Sequence, residues 1–270
     1  MSNPSDTVGH RPSQVIAVAN QKGGVGKTTT AINLATGLVA VGRTVCLIDL
    51  DPQGNATTGL GIPPKLRDNG SYQALLDGRP IADVMIPTGI PGLSLVTATV
   101  DLSGAEVELV GQEGREFRLR DAIQSRATGV DTILIDCPPS LGLLTVNALV
   151  AADQVLVPLQ TEYYALEGLS HLMRTIDRIR RSLNRSLTLA GVVLTMFDRR
   201  NNLSEQVAAD VRSHFGTQVF ETVIPRNVRI SEAPSHGKPV MLYDHRSPGA
   251  LAYAHLASEL LKRQGVEVRP

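Results

Sequence analysis

Between residues 19 and 33 the chain reads ANQKGGVGKTTTAIN, and these residue types suit one chemistry, the holding of a phosphate chain. Gly23, Gly24 and Gly26 permit a tight turn in which backbone amides approach phosphate oxygens unobstructed by side chains. Lys27 opens a helical pattern whose N-terminus attracts anions; its ammonium suits β- and γ-phosphates, and the Thr28 hydroxyl suits Mg²⁺. The candidate nucleotide-binding run is therefore Gly23, Gly24, Val25, Gly26, Lys27, Thr28 and Thr29. It departs from the common G-x-x-x-x-G-K-[ST] pattern in two ways. Gln21 stands where the first glycine belongs, and Lys22 adds a second cation that the loop itself does not need.

Carboxylates at two strand ends would complete such a site. CLIDLDPQGN supplies Asp49 and Asp51, and ILIDCPPS supplies Asp136 after three apolar residues. A carboxylate at the mouth of a buried strand, beside a phosphate loop, can orient Mg²⁺ through water. Without that loop, the same aspartate would more simply cap a turn.

These residues need strands that end together and a helix that starts behind the loop. The pattern of apolar residues predicts strands at 14–20, 44–49, 93–98, 131–138, 154–160, 187–197 and 217–225. Helices are expected at 27–41, 71–77, 115–127, 141–151, 163–183, 202–214 and 248–263, with a loop at 59–70. Near-continuous apolar strands separated by helices indicate an α/β fold of the P-loop NTPase kind: a single domain with a mostly parallel twisted sheet and helices on both faces. Ligands of such sheets bind beyond the carboxyl ends of the strands, where every motif above falls. Residues 1–13 are polar and read as a loose tail, leaving 14–270 as the domain.

Composition agrees. In 270 residues, 42% are hydrophobic, ample for a large core, and there is neither a membrane-span-length apolar run nor a leader pattern, so a cytoplasmic protein is expected. Formal net charge is zero, which excludes a uniformly basic surface but not a local patch. Cys46 and Cys137 lie in apolar, strand-like segments without metal-ligand spacing and read as small core residues.

Four stretches, KGGVGKTT, LIDLDPQGNATTGLG, ILIDCPPSLG and IPRNVRISEAPSHGKPV, together resemble the ParA/Soj partition ATPases, a deviant-Walker class that also includes MinD. The resemblance runs from about residue 14 to 262. It implies that Lys22 crosses a dimer interface to the phosphates held by a second subunit, so that ATP and Mg²⁺ are sandwiched in a homodimer. A lysine at the loop's rim is a mobile point charge suited to that task. It implies further that Asp51 positions the attacking water and that Asp49 stays near the loop and the magnesium shell. Pro225 and Asn227 would flank the base, with 195–198 (TMFD) lining it. Basic residues matching Arg200, or its neighbour Arg199 in its place, and Arg229 would carry nonspecific, ATP-dependent binding to double-stranded DNA, placing the protein on the nucleoid. A ParB-type centromere-binding protein would stimulate hydrolysis. Slow turnover alone suits a switch.

Arg174, Arg178, Arg181 and Arg185 follow steps of four, three and four and are expected on one face of the 163–183 helix, with Asp177 partly balancing them. They are either a solvated face or an extension of the DNA surface. Two other functions compete. A MinD-like membrane-associated ATPase would need an amphipathic C-terminal helix, and the helix expected at 248–263 offers only Lys262 and Arg263 beside a stripe suited to a core. A metabolic P-loop enzyme, either a synthetase or an iron-sulfur reductase, would need a substrate pocket or cysteine ligands that the sequence does not display.

Overall fold

Alternate residues along Gln14–Val18 go to opposite sides of one sheet, as the two-residue period of a strand requires. Val15 and Ala17 join one buried apolar cluster, Ile16 and Val18 another. The computed structural model describes residues 13–266. Its elements run β1 (Gln14–Val18), α1 (Lys27–Ala40), β2 (Val45–Asp49), α2 (Asn55–Gly59), α3 (Ser71–Leu76), α4 (Ile81–Val84), β3 (Ile86–Pro87), β4 (Leu93–Val96), α5 (Leu102–Glu108) and α6 (Arg118–Gln124). They continue with β5 (Thr132–Asp136), α7 (Leu143–Ala151), β6 (Gln154–Gln160), α8 (Ala165–Ser182), β7 (Thr188–Phe197), α9 (Asn202–Phe215), β8 (Val219–Pro225), α10 (Val228–Glu232), α11 (Val240–Tyr243) and α12 (Pro248–Arg263).

The strands lie in the order β3-β4-β2-β5-β1-β6-β7-β8, and all pairings are parallel except that of the short edge strand β3. This is the expected mostly parallel α/β sheet, with one core on each face. The central position of β1 decides the layout of the site. The loop after it emerges between the end of β5, which carries Asp136, and the end of β6.

α1 and α12 cover one face in close contact. At Gly37 an added Cβ would lie 2.9 Å from the Ala257 Cβ and 3.2 Å from the Tyr253 carbonyl oxygen, so the approach requires glycine. α12 starts where the Ser247 hydroxyl accepts the Ala250 N–H, with Pro248 in its first turn. α8 covers the other face with Leu169, Leu172, Ile176 and Ile179 at helical spacing. The outer edge of β8 is blunted by side chains. Arg263 donates to the Thr217 and Val219 carbonyls, and Glu259 accepts the Glu221 N–H.

The seven expected strands and seven expected helices are present, with ends shifted by a few residues; within 115–127 the regular helix is α6 alone, preceded by a 3₁₀ turn at Arg115–Phe117. The additions are β3 and the helices α2, α4, α5, α10 and α11, none longer than seven residues. Helices this short are held by tertiary contacts rather than by their own periodicity. Of the tail expected at 1–13, only Ser13 falls among the described residues; its hydroxyl donates to the Val130 carbonyl at 2.7 Å. Cys46 and Cys137 are buried free thiols, and burial raises both, Cys46 to about 12.

Candidate nucleotide site

Asn20 organises the turn after β1. Its amide donates to the Pro158 carbonyl at 2.7 Å and its Oδ1 accepts the Lys22 N–H at 3.0 Å. Gln21, in place of a glycine, donates to the Gly168 carbonyl at 3.2 Å. Gly24 and Gly26 then take φ of 75° and 88°, left-handed values that favour glycine, and Gly26 delivers the chain into α1. Val25 is buried, and its carbonyl accepts the Thr195 hydroxyl at 2.8 Å. Thr28 and Thr29 stand in the first turn of α1.

The Lys27 side chain folds back over the loop, its ammonium donating to the Lys22 carbonyl at 3.0 Å. Burial lowers its pKa, while the charges of Asp136, Cys137 and Asp51 oppose that shift. Lys22 points the other way, to an ion pair with Glu162 just beyond β6.

Asp49 and Asp136 end neighbouring strands in register. Both are fully buried, but their surroundings differ. Asp49 accepts the Thr57 N–H at 2.8 Å and the Thr57 hydroxyl at 2.7 Å, and its other oxygen accepts the Asp51 N–H at 3.3 Å. Neither Asp136 oxygen has a hydrogen-bond partner among the described residues. Burial, followed by the charge of Asp49, holds Asp136 well above the ordinary carboxyl range, against the smaller influences of Thr28 and Lys27. Burial likewise raises Asp49 to about 6. Asp51 shapes the following turn: its Oδ1 accepts the Gln53 N–H at 2.9 Å and its carbonyl accepts the Gly54 N–H at 2.8 Å.

On the other flank of the loop lies a cavity of 290 Å³, lined by Gly26, Thr29, Thr195, Met196, Pro225 and Asn227 among others. Met196 holds φ of 51° in its wall, a left-handed conformation that a long side chain seldom adopts. Asn227 caps α10, its Oδ1 accepting the Arg229 N–H at 3.0 Å, and its Nδ2 has no hydrogen-bond partner among the described residues. The expected phosphate loop, strand-end carboxylates and Pro225/Asn227 thus gather at one edge of the sheet.

A family model described as an AAA domain matches residues 13–189. The chromosome partitioning protein ParA of Caulobacter vibrioides (strain NA1000 / CB15N) is 59% identical over 255 residues, 94% of this chain and 96% of that protein. This chain belongs to the ParA/Soj family. The chromosome-partitioning ATPase Soj of Thermus thermophilus is 52% identical over 248 residues, 92% of this chain and 95% of its own length. Among solved structures, a Mycobacterium smegmatis protein named cobyrinic acid a,c-diamide synthase, with bound ATP analogue and magnesium, superposes with a TM-score of 0.82 at 37% identity, covering 96% of this chain and 98% of its own.

In this ParA/Soj chain, the arginines expected to meet DNA follow neighbouring strands at the same sheet edge, Arg200 in the turn after β7 and Arg229 on α10 after β8. The Arg226 N–H donates to the Phe197 carbonyl at 3.0 Å, stitching the end of β7, which leads to Arg200, to the end of β8, which leads to Arg229. The Arg200 side chain is 88% exposed and clasps Asp198 at 2.9 Å. Arg229 pairs with Glu232 at 2.9 Å and Asp244 at 3.4 Å. Arg174, Arg178 and Arg181 are exposed on α8, but Arg185 lies beyond the helix end at Ser182, so the four do not form one helical face. Asp177 pairs with Arg180 and with none of the four.

Two residues that sequence reasoning missed shape this site: Thr57, which occupies Asp49, and Glu162, which occupies Lys22. The signal for Glu162 was topological. A strand order that puts β6 beside β1 places its first residues after the strand against the loop rim. No helix among the described residues is long and apolar enough to cross a membrane.

Proposed function

We propose that this chain is an ATP-driven switch for DNA segregation. It binds ATP with Mg²⁺, closes into a homodimer that sandwiches the nucleotides, and in that form binds double-stranded DNA without sequence preference. Hydrolysis to ADP and phosphate, stimulated by a ParB-type partner, releases the DNA; the setting is the cytoplasm, on the nucleoid. The observation that carries this reading is the position of Asp136. Beside Lys27 and Thr28 it presents two buried oxygens with no partner among the described residues, an arrangement that costs stability unless a ligand completes it.

Mg²⁺ fits that site, because it keeps several waters and takes one or two protein oxygens together with phosphates. Consistent with this, no group of three or more His, Cys, Asp or Glu side chains forms a protein-only metal site among the described residues. Thr28 and Asp136 would hold the ion, and Asp49, anchored by Thr57, would support its outer shell. Bound there, Mg²⁺ would screen the phosphate charge. The amides from Gly23 to Thr29 cradle the phosphates, Lys27 contacts the β- and γ-phosphates, and Pro225 and Asn227 flank the base. Asp51 orients the attacking water, and Lys22 reaches the nucleotide of the second copy. Arg200 and Arg229 contact DNA phosphates, for which their planar forks are suited.

A metabolic synthetase is the second reading, favoured by the name of the mycobacterial structure. Such an enzyme has no need of a lysine acting across a dimer. Sedimentation with ATP, ADP and no nucleotide separates the two. The switch predicts a dimer with ATP alone, lost in Lys22→Ala while ATP binding persists; an oligomeric state indifferent to nucleotide and to Lys22 favours the synthetase.

A further inference from the structure

The rim of the phosphate loop is tied to the segment 158–168 by three consecutive residues. Asn20 and Gln21 donate to backbone carbonyls of Pro158 and Gly168, which fixes the loop within its own chain. Lys22 differs, because it meets a side-chain carboxylate, Glu162, 140 positions away in sequence. Both partners are partly open to solvent, with side chains 46% and 42% exposed. An ion pair in that setting is weak and exchangeable. The next two residues, Tyr163 and Tyr164, are 77% and 67% exposed, and their rings meet edge-on with centroids 5.1 Å apart. The pair therefore sits on an aromatic rim that offers a second copy of the chain apolar area to cover.

We infer that Glu162 is a positioning residue that holds Lys22 on its own chain and sets the threshold for dimer closure. This rests on the reading that Lys22 serves the nucleotide of a second copy. In the free chain the ammonium is neutralised in cis. When a second copy approaches, a triphosphate presents more negative charge than one carboxylate, and Lys22 exchanges Glu162 for it. Covering the tyrosines removes water from around the exchange and strengthens whichever pairing survives. Glu162 is then left without its cation near a polyanion, which opposes closure. A chain with no triphosphate to offer gives Lys22 nothing to exchange for, so the pair disfavours closure without ATP.

Glu162→Gln keeps the side-chain size and removes the charge. In the nucleotide-free full-length chain, acylation of Lys22 by an amine-reactive ester, read by mass spectrometry against Lys65, should rise severalfold in Glu162→Gln, with Glu162→Asp in between. In ATP, the Glu162→Gln dimer should form at a protein concentration about two- to fivefold lower than wild type, the range an exposed ion pair supplies. Unchanged Lys22 acylation, or an ATP dimer that is unchanged or weaker, would overturn the inference. The Lys22→Ala arm tests the underlying reading separately: if that variant dimerises normally with ATP, the transfer between copies is wrong, while acylation still reports whether Glu162 restrains Lys22.

Discussion

Asp49 and Asp136 stand opposite each other at the ends of paired strands, yet among the described residues Asp49 finds hydrogen-bond partners and Asp136 finds none. The division is physical. Thr57, delivered by α2, supplies Asp49 with two short hydrogen bonds, so this carboxylate secures the turn that carries Asp51. Asp136 has no such partner among the described residues, which suits the ligand-holding role proposed for it.

An unpartnered buried carboxylate beside another should oppose folding. Asp136→Asn removes the like charge and should stabilise the nucleotide-free chain by about 1 kcal/mol at neutral pH, measured by urea unfolding. Because both carboxyls are raised in the folded state, their cost is absent below the unfolded values and grows as pH rises above them, levelling off for Asp49 above about 6 and for Asp136 only above its own raised value. The advantage of Asp136→Asn should therefore shrink toward pH 4, and the variant should lose Mg²⁺-dependent hydrolysis. A variant less stable than wild type at pH 7 would contradict this account of the site.

Asp51→Ala removes the residue assigned to the attacking water but not the phosphate contacts. ATP binding and ATP-dependent dimerisation should persist while hydrolysis falls at least a hundredfold, leaving the DNA-bound form trapped. Lys27→Ala should instead lose dimerisation and hydrolysis together. Phosphate release and sedimentation distinguish the two. Wild-type turnover by Asp51→Ala would remove Asp51 from the chemistry.

Most of the fold was legible because buried parallel strands are near-continuous apolar runs, and TILID and QVLVPLQ leave few alternatives. The turn of the candidate phosphate loop was legible because left-handed turns favour glycine, as Gly24 and Gly26 show. Long-range pairing was not legible. Nothing near Thr57 in the chain announces that its hydroxyl serves Asp49, and the Lys22–Glu162 pair exists only because β1 and β6 are neighbours. The short helices were missed for a related reason. α2 and α10 have too few residues for a period, and each is fixed by what it packs against.

Asp198 occupies Arg200 with a bidentate pair, donated at 3.0 and 2.9 Å, and these hydrogen bonds hold its carboxyl down at about 2. In the proposed complex a DNA phosphate would have to displace it. Asp198→Asn keeps an acceptor for the Arg200 N–H and removes the competing charge, so affinity of the ATP form for duplex DNA should rise about two- to fivefold. Fluorescence anisotropy at fixed salt reads this. An unchanged or reduced affinity would show that Arg200 does not meet phosphate.

The central claim is that nucleotide state governs DNA binding, and the measurement that tests it most directly is affinity for duplex DNA with ATP, with ADP and with no nucleotide, across a salt series. With ATP, Arg200 and Arg229 from two chains supply about four phosphate contacts, so log affinity should fall against log salt with a slope near −4, independent of base sequence. With ADP or no nucleotide, binding should be weak, and changing both arginines to Glu should abolish most of the ATP-state binding while leaving the dimer intact. Equal affinity in ATP and ADP, or a marked preference for one sequence at fixed salt, would contradict the switch.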